Sequence, residues 1–117
     1  MIKFGIVGAG IRGRLFTSVL KQNDWADVVA VCDISSAALD SFSKYQVKTY
    51  TKVEEMVDKE QLDAVIIATP DFLHKDAVMI ASAKKLDMMI EKPFSTDINE
   101  CVEMAEAIRK SGVKCMV

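Results

Sequence analysis

"KFGIVGAGIRGRLF", residues 3–16, joins an apolar run to a stretch of helical spacing through three glycines, Gly8, Gly10 and Gly13. Glycine loses the most backbone freedom on folding, so three of them at the exit from a buried strand need a reason. In a Gly-x-Gly-x-x-Gly corner the first permits a tight turn and the second removes a Cβ that would block a diphosphate. The third lets the helix pack close to the strand. Free N–H groups and the positive end of the helix dipole then favour the anionic diphosphate. Ile11 and Arg12 belong to the same corner; Arg12 is placed to reach a phosphate or to stand solvated at the helix start. Glycines alone are a weak signal, and the surrounding chain has to decide.

Working outward, apolar runs and amphipathic stretches alternate to the end of the chain. Residues 2–8, 28–33, 47–50, 63–69, 88–91 and 113–117 read as strands. Between them, 12–22, 35–45, 52–60, 71–85 and 95–112 have helical spacing. Leu15, Phe16, Val19 and Leu20 are expected to face the sheet from the first helix. Val53, Met56 and Val57 are expected to do so from the third, and Ile98, Cys101, Val102, Ala105 and Ile108 from the last. Serines at 35–36 suit an N-cap, Asp71 suits the positive end of its helix, and Gly112 suits a C-cap. Strands apolar on both faces with helical crossovers predict a doubly wound parallel α/β sheet of the Rossmann type, ordered 3-2-1-4-5-6 and covered on both sides.

Length and composition allow this and exclude much else. The 117 residues make one domain, half apolar and 27% charged, with a net charge of −2 that gives no footprint for nucleic acid. No apolar run approaches the roughly 20 residues of a membrane span, and the N-terminus reads as a strand rather than a leader, so a cytoplasmic protein is expected. Cys32, Cys101 and Cys115 lack metal-ligand spacing and read as small buried thiols; no metal site is expected.

Three segments carry chemistry, each at the carboxyl edge of a strand. Asp33 ends the second strand, twenty residues beyond Gly13. There a carboxylate can accept both hydroxyls of an adenosine ribose and repel the extra phosphate of NADP, so NAD is expected over NADP. It could instead be a turn aspartate capping the next helix. "ATPDFLH" (68–74) follows the fourth strand: Ala68, Thr69 and Pro70 turn the chain beside the crevice, and His74, the only histidine, falls in the first helical turn. "EKPFS" (91–95) follows the fifth. Pro93 holds Lys92 extended, which could aim its ammonium at a substrate oxygen; a solvated Glu91–Lys92 pair is the plain alternative.

Taken together, "GIVGAGIRG", "VCDIS", "ATPDFLH" and "EKPFS" resemble, in order and spacing, the N-terminal domain of the Gfo/Idh/MocA family, which includes glucose-fructose oxidoreductase and inositol dehydrogenase. The likeness spans the whole chain. It implies NAD(P)-dependent oxidation or reduction at a carbinol carbon of a small-molecule substrate, a sugar, cyclitol or derivative. It implies that Lys92 is the catalytic residue, beside the nicotinamide, and that Thr69, Pro70 and His74 line the cofactor crevice. Members often carry glycine where this chain has Lys85, so Lys85 or Asp87 is expected to take a positive φ. The resemblance also implies a second α/β domain that supplies substrate contacts and a proton-handling group, with residues 1–117 as the dinucleotide-binding part, binding cofactor with little or no turnover. A stand-alone redox sensor, whose Glu-Lys-Pro loop merely fits the crevice, and a methyltransferase are the competing accounts. The first should carry a dimerisation or DNA-reading element, of which the sequence shows no basic stripe or extra helix; the second has no call for the lysine-proline step. Apolar surface near Phe94 and along the sixth strand is expected to make the chain a homo-oligomer.

Overall fold

The computed structural model describes residues 1–117. Its sheet has six strands, all parallel: β1 (Ile2–Val7), β2 (Ala26–Cys32), β3 (Lys48–Tyr50), β4 (Ala64–Ile67), β5 (Asp87–Ile90) and β6 (Cys115–Met116). Their order is β3-β2-β1-β4-β5-β6, as the alternation predicts. The helices are α1 (Ile11–Leu20), α2 (Ser36–Asp40), α3 (Val53–Lys59), α4 (His74–Ala83) and α5 (Ile98–Ser111), with 3₁₀ turns at Ser43–Tyr45 and Asp71–Leu73.

Adjacent residues of a strand face opposite sides, and here both sides are apolar. Ile6, Val28, Val31 and Ile66 pack under α1 and α2 with Leu39 and Phe42. Val7, Cys32, Val65, Ile67 and Ile90 pack on the other side with Met56, Val78 and Met104. Crossover hand sets which helix lies where: connections running from β1 toward β3 put α1 and α2 on one face, and those running back toward β6 put α3, α4 and α5 on the other. The α1 face of β4–β5–β6 therefore carries no helix. It forms an apolar trough of about 470 Å³ walled by Phe4, Phe16, Trp25, Ile66, Met89 and Met116. Phe94, expected to be part of an exposed patch, instead packs against the α3–α5 core.

Several elements differ from their sequence-based outlines. The α1 helix meets the sheet through Gly13, Thr17 and Leu20, while Leu15 and Val19 are exposed. Small residues win because the helix lies close to β1, and the Thr17 hydroxyl is satisfied by the Gly13 carbonyl at 2.8 Å. The second helix stops at Asp40 because the chain turns to bury Phe42 completely, a gain on the order of 2 kcal/mol. The α5 helix starts at Ile98, where the Asp97 carboxylate accepts from the Asn99 and Glu100 N–H groups, and ends at Gly112 with φ 74°. It buries Met104, leaving Ile98 and Val102 in solvent, because it packs beside α4 as well as on the sheet. β6 shrinks to two residues. Lys85 does take the left-handed conformation, φ 56°, at the turn into β5.

The outer strand β3 is pinned by side chains. The Tyr50 hydroxyl donates to the Glu60 carboxylate, which also receives the Lys48 ammonium at 3.0 Å. The shared hydrogen bond pushes Tyr50 up to about 12, helped by partial burial, and holds Glu60 below the usual carboxylate range. This ties β3 to the end of α3.

Candidate functional site

All the strands end on the same edge, and the chain reverses its winding between β1 and β4. The first corner there is built from backbone. Gly8 has φ 110°, and its N–H donates to the Cys32 carbonyl at 2.8 Å. A Cβ at Gly8 would lie 2.6 Å from the Ala68 carbonyl carbon, and one at Gly13 would lie 2.0 Å from the Gly8 oxygen. Only glycine allows either approach. A Cβ at Gly10 would meet nothing within 4 Å, so the space above it is open. Gly10 is the N-cap of α1, with no side chain capping it and no acid in the first turn. The N–H groups of that turn and the positive end of the dipole are thus presented uncompensated to the open space.

Asp33 faces this corner. One carboxylate oxygen accepts from the Ala9 N–H and the other from the Ser35 N–H, both at 2.8 Å. Ser35, not Asp33, caps α2 by accepting from the Ala38 N–H. Asp33 thus serves the turn before α2 through the Ser35 N–H without being its N-cap, and its oxygens retain lone pairs for a ligand hydroxyl. Around them lies a cleft of about 630 Å³ walled by Gly8, Gly10, Ile34, Val53, Thr69 and Leu73 among others. In its wall the buried Cys32 thiol is pushed up to about 11 by burial, with Asp33 and Glu54 adding repulsion.

A second cleft of about 580 Å³ adjoins the first across Ala68, Thr69 and Pro70 and continues to Glu91, Lys92 and Pro93 at the end of β5. Its walls are polar. Arg12 crosses it: Nε and one terminal nitrogen donate to a single Glu91 oxygen at 2.8 and 2.7 Å. The guanidinium also lies 5.2 Å from the centre of the Phe16 ring. Lys92 is exposed, precedes a cis peptide bond to Pro93, and has no ion-pair or hydrogen-bond partner. The Thr69 hydroxyl is buried without a partner.

The structure thus brings Gly8, Gly10, Asp33, Ala68, Thr69 and Pro70 to one cleft, and Arg12, Glu91, Lys92 and Pro93 to its continuation. Gly13 lies beneath, in the helix–strand contact, and Ile11 points to solvent at 76% exposure. His74 lies below the cleft surface rather than in its wall. It is 1% exposed, with Nε2 2.9 Å from the Thr69 carbonyl and Nδ1 3.1 Å from that of Phe94. Sequence reading missed Asp71, which walls the second cleft, and residues 51–54, which wall the first. The signal for 51–54 was available: in a parallel sheet the segment after β3 must emerge at the same edge as Asp33.

Comparison with known proteins agrees with this fold. The family model GFO_IDH_MocA, an oxidoreductase family with an NAD-binding Rossmann fold, matches residues 2–117. A 2,7-anhydro-N-acetylneuraminate hydratase of Escherichia coli is 30% identical over 116 residues, 99% of this chain and 31% of that protein. The chain therefore spans about a third of the length of such relatives. The WlbA dehydrogenase of Bordetella pertussis, solved with NADH and UDP-GlcNAcA, superposes with a TM-score of 0.91 at 25% identity, covering 97% of this chain and 36% of that one. The scyllo-inositol dehydrogenase of Lactobacillus casei, solved with NAD(H) and scyllo-inositol, gives 0.92 at 25% identity over 99% and 35%. No helix of this chain is long and apolar enough to cross a membrane.

Proposed function

The chain belongs to the Gfo/Idh/MocA oxidoreductase family, and from that premise we propose that it is the dinucleotide-binding part of an enzyme moving a hydride between NAD and a carbinol carbon of a sugar or cyclitol. The observation that carries the reading is the uncapped start of α1 at Gly10, opening onto a cleft with Asp33 on one side and the unpaired Lys92 on the other.

The residues present fit such a cofactor. The space over Gly10 and the free amides of α1 suit a diphosphate; the partnerless Thr69 hydroxyl is satisfied by a polar group entering the cleft. When bound, the nicotinamide ring supplies or accepts the hydride. Asp33 accepts ribose hydroxyls while still tying down Ala9, and a 2′-phosphate there would meet its negative charge. Arg12 neutralises Glu91, so the neighbouring Lys92 ammonium is left free to donate to the reacting oxygen and polarise it. Arg12, Ala68, Pro70, Glu91 and Pro93 shape the walls, and Ile11 stands outside them in solvent.

The test is a fluorescence titration of the 117-residue chain with NADH and NADPH. Saturable binding with preference for NADH is expected, and Asp33→Ser should shift the ratio toward NADPH; an unchanged ratio removes Asp33 from the ribose. Lys92→Ala should leave NADH affinity within about twofold, because the ammonium serves the substrate oxygen; a collapse of binding would make Lys92 structural. Self-association of the chain, expected from its exposed apolar trough, is read by sedimentation velocity over a concentration series.

A further inference from the structure

The only histidine is buried, yet no step above uses it. Its position is unusual in one respect: the ring spans two loops that the main chain does not join. The ladder between β4 and β5 ends with the Glu91 N–H donating to the Ile67 carbonyl at 2.9 Å. Beyond that bond, no backbone hydrogen bond links residues 68–73 with residues 92–97. The two lips of the second cleft, one carrying the Thr69 hydroxyl and the other Lys92, would be free to part. Between them stands His74, with Nε2 at the Thr69 carbonyl and Nδ1 at the Phe94 carbonyl. It is the one side chain whose polar atoms reach the main chain of both loops. Phe94 itself packs into the core, so the loop is anchored at its far end and adjustable at Lys92.

We propose that His74 is a positioning residue for the nicotinamide half of the cleft: it sets the separation of the Thr69 and Lys92 lips, and so the fit of the ring between them, without touching cofactor. This rests on the dinucleotide reading above. The physical argument is local. Either tautomer of the ring carries one N–H, which donates to one of these carbonyls, while the ring packs its other nitrogen against the second. Two loops in contact with one rigid imidazole are fixed relative to each other in distance and orientation. An apolar side chain of similar size would fill the space and preserve the packing but leave the carbonyl that accepts from the ring without its donor and the lips unregistered.

The experiment separates positioning from general support by using two ligands. ADP-ribose fills only the half of the cleft between β1 and β3; NADH adds the ring between the lips. In His74→Leu, NADH affinity should fall about tenfold, the scale of losing one hydrogen bond between the lips, while ADP-ribose affinity stays within about twofold. His74→Gln, whose amide N–H can donate to the same carbonyl, should recover most of the NADH affinity. If the leucine variant is unfolded by circular dichroism, the glutamine variant compared with His74→Asn, too short to reach both carbonyls, carries the same test. Equal losses for the two ligands, or no loss for either, would overturn the proposal, as would wild-type chain binding NADH no more tightly than ADP-ribose. Wild-type chain that binds neither ligand would instead overturn the dinucleotide reading itself, and this inference with it.

Discussion

The two halves of the cleft are held by different means. Between β1 and β3 the walls are fixed by main chain or by a carboxylate on main chain: Gly8 to Cys32, Asp33 to Tyr50, Ala68 to Val7, and Asp33 to Ala9. Between β4 and β5 they are fixed by side chains meeting across a gap, Arg12 with Glu91 and His74 with two carbonyls. Backbone contacts cannot rearrange without undoing the sheet; side-chain contacts can be remade. The half that would hold the invariant end of a cofactor is therefore rigid. The half that must admit a reacting ring and a substrate is adjustable.

Gly13→Ala would break the comparison at its rigid side. Its methyl would sit 2.0 Å from the Gly8 oxygen, a backbone atom, so helix and corner must separate. A loss of about 3 kcal/mol or more in chemical denaturation is expected, with ADP-ribose and NADH binding both lost. Retained stability would show that the corner is as compliant as the second half. Arg12→Ala sharpens the other side. The ion pair is half exposed, so stability should change by less than about 1 kcal/mol. NADH affinity should fall a few-fold, because the unpaired Glu91 carboxylate then faces the anionic cofactor, and added salt should shrink the effect.

The smallest effect concerns the wall after β3. Glu60 lies below its usual range, so its contribution to stability is present above that range and is lost as pH falls through the depressed value. Tyr50 is raised from 10 to about 12, so its contribution is present below pH 10 and is lost as pH rises toward 12. Thermal melts across pH should show both flanks, and Tyr50→Phe should remove the alkaline one and flatten the acid one. A profile unchanged by that substitution would detach the pair from the stability of the rigid half.

The strands and the glycine corner were legible because apolar runs and Gly-x-Gly-x-x-Gly are local patterns, and the strand order followed from the hand of the crossovers. Helix faces were less so. Periodicity ranks residues by hydrophobicity, whereas α1 is seated by how near Gly13 and Thr17 allow it to come, which depends on β1. The positive φ at Lys85 was expected from family resemblance; its own side chain gives no sign of it. The Arg12–Glu91 pair and the double reach of His74 join residues 79 and 20 positions apart, and no local pattern encodes such meetings.

Trp25, the chain's single tryptophan, stands at the amino end of β2 on the rim of the trough, 56% exposed. The seven residues of β2 place it about 20 Å from the carboxyl edge where Asp33 begins. Its emission is thus a built-in gauge of what happens at the far end of the sheet. A blue shift on raising protein concentration would register a covering of the trough, while the wavelength maximum should stay put as the cleft fills, giving two optical channels for two separate surfaces.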